Sequence, residues 1–223
     1  MIHSLVSRTV IFVSLLIRMS NTSSWSIVTR IATESDASDI LALTNDAFMA
    51  DAFFKKPEYY DRFDSQTVLS MMNTGDSQFI LASTTIDEKE TNVGSMFFHW
   101  SSNAIANELH ITGKFSAVSV PAKYGKRGIG KTLVKAAESR LRDIATQQWN
   151  AHKNSQDSMD VSDHKLLVSM EMGVINQRKD LFPWYEGQGY VALHELPHDE
   201  ELARICLDNA DICCILMRKS FDM

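Results

Sequence analysis

From Trp25 onward apolar and polar positions recur with the periods of folded structure. Ile27, Thr29 and Ile31 alternate as a first strand, and Glu34-Ser35-Asp36 offers a helix start before Ile40, Leu41, Leu43, Ala47 and Phe48 at helical spacing. A second helical stretch follows Pro57 and ends near Asn73-Thr74-Gly75. Phe79 to Ile86 and Val93 to Trp100 read as two strands of a hairpin, joined by the charged stretch Asp87 to Asn92. Phe115, Ala117, Val118 and Val120 mark another half-buried strand, which Pro121 ends, and a helix is expected over Lys131 to Gln148. Beyond it come a strand (Lys165 to Val174), a short helix (Gln177 to Gly187), a strand (Tyr190 to Leu196), an acidic connector (His198 to Asp211) and a last strand (Ile212 to Lys219). The sum is an α+β layout of about seven strands and about four helices.

Two segments fall outside this pattern. Val10 to Ile17 is an apolar run between Arg8 and Arg18, shorter than the roughly 20 residues a bilayer span needs, and no small-residue cleavage site follows it. Residues 1–24 are therefore expected to be a leader or tail: a mitochondrial-type presequence, an ordinary apolar tail, or sequence upstream of a start at Met19. Residues 25–223 form the domain. Within it Asn150 to His164 is too polar to offset the entropy of its own ordering, so a mobile insertion is expected over about 149–164.

Composition narrows the functional classes. A chain of 223 residues with 44% apolar content buries one good core. The net charge of −6 argues against a general nucleic-acid binder. Base is concentrated locally: between Lys123 and Arg142 seven Lys or Arg accompany one acid, Glu138. Lys135, Arg140 and Arg142 fit a solvated helix face, with Glu138 and Arg142 paired at i,i+4, whereas Lys126, Arg127 and Lys131 lie within a glycine run. Cys206, Cys213 and Cys214 make neither a disulfide framework nor a metal spacing, and the seven histidines show no ligand spacing, so no metal is expected. The cysteine usage points to a reducing compartment, cytoplasmic, or mitochondrial if the first residues are a presequence.

The glycine run carries the chemistry. In FSAVSVPAKYGKRGIGKTL (Phe115 to Leu133) a strand feeds a glycine-rich turn and then a helix, an arrangement in which free N–H groups and the helix dipole attract anions. Gly125 to Thr132 matches GxxxxGK[ST], the P-loop of nucleotide hydrolases, with Lys131 toward the outer phosphates and Thr132 toward magnesium. Against it, four residues (Pro121 to Tyr124) separate the strand from the loop, and neither LLVSM (Leu166 to Met170) nor CCILM (Cys213 to Met217) is followed by Asp.

The same residues, Arg127-Gly128-Ile129-Gly130 after a Val120-Pro121 step, resemble the pyrophosphate loop of the GCN5-related N-acetyltransferases (GNAT). Asn176 and then LFPWYEGQGYV (Leu181 to Val191) extend the likeness, resembling the strand-terminal Asn and the Tyr-Glu-x-x-Gly-Tyr/Phe turn of that superfamily. One departure is Gly125, where the family has Gln or Arg. The resemblance implies a mixed, mostly antiparallel sheet that splays beside the loop, and acetyl-CoA as acyl donor. The backbone of Val118, Ser119 and Val120 would meet the pantetheine arm, Gly125, Lys126, Arg127, Gly128, Ile129, Gly130 and Lys131 the pyrophosphate, and Asn176 a pantetheine amide. Tyr185 would protonate the departing thiolate, or else pack the last helix; Asn176 could equally be a turn residue. For the general base Glu171, a charge in an apolar run, is the candidate, with Glu108 and His110 behind it, although alternation could simply aim Glu171 at an open face. The expected activity is direct transfer of acetyl to a small-molecule or peptide amine by a monomer or homodimer. A CoA-binding protein without turnover and a P-loop hydrolase are the alternatives.

Overall fold

The computed structural model describes residues 25–72, 74–105, 107–155, 164–197, 200–208 and 211–223. Among these residues seven strands form a single sheet: β1 (Val28–Ile31), β2 (Ser77–Ile86), β3 (Lys89–Ile105), β4 (Glu108–Ser119), β5 (Lys165–Ile175), β6 (Val191–Glu195) and β7 (Cys214–Phe221), in the order β1-β2-β3-β4-β5-β7-β6. Only β4 and β5 run parallel; every other neighbouring pair is antiparallel. Among the described residues five α-helices accompany the sheet: α1 (Ala37–Phe48), α2 (Ser65–Met72), α3 (Ile129–Ser155), α4 (Leu181–Glu186) and α5 (Glu200–Ile205).

Each face of the sheet has its own core. Ile129, Leu133, Val134, Ala137, Leu141, Ile144 and Ala145 form the buried stripe of α3, and they meet Met96, Phe98, Ile111, Phe115, Val168 and Met170 of the sheet. The stripe repeats every three or four residues, which holds it on one side of the helix for four turns. On the opposite face Ile40 and Leu43 of α1 and Val68 of α2 pack on Phe79 and Leu81 of β2. On this face α2 lies over β2 and α1 over β3 and β4, while Lys114 keeps 52% and Arg218 43% of their side-chain surface.

Several elements differ from the sequence expectation. The β2–β3 connection is a two-residue turn, with Asp87 (φ 49°) and Glu88 (φ 63°) both left-handed and Ile86 opposite Lys89, so the charged stretch to Asn92 is strand rather than loop. β3 continues past Trp100 to Ile105 through Ser101, Ser102 and Asn103, held by its ladder with β4 rather than by burial. α3 continues to Ser155, so the first part of the expected insertion is helix, and residues 156–163 lie outside the described residues. So do residues 1–24. The acidic connector contains α5. Glu138 does not sit on a solvated face: it is 6% exposed, accepts from Tyr190 Oη at 3.0 Å and holds Lys219 Nζ at 2.9 Å, while the Arg142 guanidinium stacks 4.5 Å from the Phe221 ring.

Candidate active site

The parallel pairing of β4 with β5 runs from Glu108↔Lys165 to Lys114↔Glu171 and stops there. Both strands go on, β4 to Ser119 along β3 and β5 to Ile175 along β7, so a wedge opens between them. A bulge helps to turn β4 away. Phe97 faces Ser116 and Ser95 faces Ser119, two steps on β3 against three on β4, with Ala117 left-handed at φ 49°. Ser119 is fully buried and its hydroxyl donates to Ala117 O at 2.8 Å, closing the bulge. The β4 backbone from Phe115 to Ser119 consequently presents one edge without a ladder partner, which is where Val118, Ser119 and Val120 were expected to act.

Pro121 ends β4, a 3-10 turn (Ala122–Tyr124) follows, and the chain enters α3 through Gly125 to Gly128. Lys126 (φ 59°) and Gly128 (φ 81°) are left-handed with Arg127 between them, a curl that gathers successive N–H groups on its concave side just ahead of a 27-residue helix. A Cβ placed on Gly128 would meet no heavy atom within 4 Å, so the space over the curl is open. One on Gly130 would lie 3.3 Å from the Trp184 ring, so glycine there lets α3 start against α4. The Lys126 and Lys131 side chains are exposed, and Arg127 stacks 4.1 Å from the Trp25 ring centre. Ile129 is buried beneath the loop.

The P-loop reading is corrected by this geometry. The sheet is mostly antiparallel rather than the parallel one that surrounds such loops. Among the described residues no group of three or more His, Cys, Asp or Glu is placed to hold a metal ion. No helix among them is long and apolar enough to cross a membrane.

Tyr185, on α4, reaches the wedge from the α3 side. Its ring lies 6.0 Å from Phe115, 4.6 Å from Trp184 and 5.9 Å from Tyr190, measured between centres. It is 6% exposed and its hydroxyl makes no hydrogen bond to the described residues, whereas Tyr190 spends its own on Glu138. Burial pushes the Tyr185 phenol well above its ordinary range, opposed weakly by Arg178, so it holds its proton throughout the neutral range.

Glu171 occupies the last β4–β5 pairing, on the face opposite Tyr185. It is 8% exposed; Arg218 donates to Oε1 through both Nε, at 2.8 Å, and Nη2, while Oε2 has only Lys114 Nζ at 3.9 Å. Its position at the wedge fits a proton acceptor, and its partners Arg218 and Lys114 are residues that sequence reasoning passed over. Lys114 sits at a regular outward position of its strand, and Arg218 lies 47 residues from Glu171. The two fallback bases are not at the wedge. Glu108 and His110 pair with each other at 2.9 Å at the far end of β4.

Asn176 stands immediately after β5, and both ends of its amide are used: Nδ2 donates to Asp211 O at 2.9 Å and Oδ1 accepts from Cys213 N at 3.2 Å. It ties the end of β5 to the segment before β7. Nearby, Arg178 donates to Asp51 at 2.8 Å and to Asp180 at 3.0 and 2.9 Å. This fixes the turn after β5 to the connector between α1 and α2.

No protein-family model matches the sequence, and no curated protein matches it. Solved structures do match in fold. NAA60 of Arabidopsis thaliana, in complex with a bisubstrate analogue, is 14% identical, covers 88% of this chain and 100% of its own, and has a TM-score of 0.56. Naa50 of the same plant, in complex with the bisubstrate analogue CoA-Ac-MVNAL, is 13% identical over 88% of this chain and 99% of its own, with a TM-score of 0.52. A GNAT-family acetyltransferase from Streptococcus pneumoniae is 13% identical over 87% and 99%, with a TM-score of 0.51. At these identities the likeness is one of fold.

Proposed function

We propose that this chain, whose fold is that of the GCN5-related N-acetyltransferases, transfers acetyl from acetyl-CoA to a primary amine by direct attack in a ternary complex. The observation that carries the reading is the conjunction at the wedge: a β4 edge and a buried tyrosine hydroxyl that have no partner among the described residues, and an open left-handed curl at the head of α3. That Naa50 of Arabidopsis thaliana, similar in fold, is in complex with a CoA-containing bisubstrate analogue supports CoA as the ligand class.

Acetyl-CoA would supply the activated thioester. The free edge of Val118, Ser119 and Val120 is suited to hydrogen bonds with the amides of the pantetheine arm. The N–H groups of the segment from Gly125 to Lys131, with the Lys126 and Lys131 charges, meet the pyrophosphate, and the α3 dipole adds to their field. This compensates for Gly125, which has no side chain to offer. Asn176 acts at one remove, keeping the end of β5 in place, because its amide is already engaged.

Glu171 takes the proton that the acceptor ammonium must lose, at Oε2, while Arg218 holds Oε1 and fixes the carboxylate plane. As the nitrogen lone pair formed the C–N bond and the C–S bond broke, Tyr185 would pass its proton to the sulfur, and the second proton that nitrogen sheds on becoming an amide would return, through solvent, to the phenolate. Burial makes the phenol a weaker acid, but a thiolate released in the same apolar wedge is destabilised by the same desolvation, so the proton still moves to sulfur. The test is thiol release from acetyl-CoA against a panel of amines, aminoglycosides and peptides: amine-dependent release is expected, and CoA binding without release to any of them would reduce the protein to a binding module.

A further inference from the structure

A charged row crosses the sheet at the point of the wedge. His99 of β3, Lys114 of β4, Glu171 of β5 and Arg218 of β7 are consecutive ladder partners, and all lie on the face that carries α1 and α2. His99 stacks on Phe97 and is held below its ordinary range by burial first and by Lys114 second, so it is neutral at pH 7. The row therefore sums to one surplus positive charge, in a protein whose net charge is −6. Arg218 is committed to Glu171, whereas Lys114 Nζ stands 3.9 Å from Oε2 and half its side chain is exposed. A polycation brought to Glu171 would meet this surplus as repulsion. An ammonium carrying its own anion would meet it as a partner.

The turn after β5 is also tied to its surroundings. The connector between α1 and α2 is laced to the segment after α5: Lys55 and Cys206 form an antiparallel bridge, Lys56 N donates to Ile205 O at 2.9 Å, and Leu207 N donates to Phe54 O at 2.9 Å. Arg178 ties the same connector to the turn after β5 through Asp51.

Resting on the acetyl-transfer reading, we infer that the acceptor is an amine bearing an adjacent carboxylate, an α-amino-acid-like zwitterion, with its ammonium on Glu171 and its carboxylate on Lys114. Lys114 is then the specificity-determining residue. It reads the anion and takes no part in moving protons.

Binding of three bisubstrate probes separates the possibilities: CoA joined through an acetyl linker to the nitrogen of alanine, of alaninamide, and of ethylamine, each titrated calorimetrically into the full-length protein. The alanine probe is expected to bind on the order of ten-fold more tightly than either other probe, the scale of one charge-assisted hydrogen bond at a half-exposed group. Lys114→Met should erase the difference and Lys114→Arg should keep most of it. With acetyl-CoA and free alanine, Lys114→Met should raise KM far more than it lowers kcat. Equal affinity for the three probes, or tighter binding of the alaninamide or ethylamine probe, overturns the inference and leaves the acetyl-transfer reading standing. Failure of all three probes and of acetyl-CoA itself to bind overturns both.

Discussion

Replacing Tyr185 by Phe removes one oxygen and keeps the ring that packs between Phe115, Trp184 and Tyr190. The lost hydroxyl has no partner among the described residues, so its removal strands no donor or acceptor, and the folded state gives up little. The melting temperature should move by less than about 3 °C, the shift that about 1 kcal/mol produces in a domain of this size. Acetyl-CoA affinity should likewise hold, because the phenol's proton is wanted only as sulfur departs. The chemical step should slow by about 10²-fold, near 2.7 kcal/mol of barrier, toward the lower end of general acid catalysis because water can replace the lost donor. Single-turnover acetyl transfer is the right assay, since slow product release would conceal the defect. Because burial holds the Tyr185 proton more firmly than in a free phenol, the wild-type rate should show no loss from tyrosine ionisation up to about pH 10. A Tyr185→Phe chemical rate within two-fold of wild type, at about equal affinity, would refute the acid role and leave Tyr185 as a packing residue.

Three further outcomes follow from the geometry. Gly128→Asp puts a Cβ on a left-handed residue and a carboxylate over the curl where phosphate is expected, so acetyl-CoA binding should fall below detection in calorimetry while the circular dichroism spectrum is kept; full affinity would remove the curl from the site. Glu138→Ala leaves Lys219 and the Tyr190 hydroxyl without their shared carboxylate and should cost about 3 kcal/mol in urea unfolding, the scale of a broken buried pair, whereas a loss under about 1 kcal/mol would mean that solvent replaces it. The Asp36 carboxylate accepts from two Arg30 nitrogens at 2.7 Å and from Thr33 N at 2.8 Å, and these bonds, with Arg30 foremost, hold it far below the usual carboxylate range. The unfolded chain binds that proton more tightly, so this contribution is full above about pH 4 and is lost as pH falls further; Asp36→Asn should show a smaller loss of urea midpoint between pH 5 and pH 3 than wild type, and an equal loss would contradict the pairing.

What could be read from the sequence was what one face of an element declares about itself. β2, β4, β5 and α3 were legible because their apolar positions repeat at the period of the element, and the glycine run announces a turn before a helix whatever it binds. The outer half of β3 was illegible for the opposite reason: Ser101, Ser102 and Asn103 are exposed, and only the ladder to β4 keeps them extended. α5 is six residues long, too short for a period to show, and its acidic start reads as connector. Glu138 was misassigned because a nearby Arg142 at i,i+4 is visible in sequence, whereas Tyr190 and Lys219 lie 52 and 81 residues away. The candidate site divides in the same way. Its loop, Tyr185 and Glu171 carry local signals; the row that surrounds Glu171 exists only once β3, β4, β5 and β7 are side by side.

The measurement that bears most directly on the account is calorimetric titration of the protein with acetyl-CoA and, separately, with ATP, each with and without magnesium. The loop carries its own positive charge and sits on a mostly antiparallel sheet unlike that of a P-loop protein, so acetyl-CoA should bind at micromolar affinity, unchanged by magnesium, and ATP should bind far more weakly in both conditions. Magnesium-dependent ATP binding together with no heat from acetyl-CoA would contradict it.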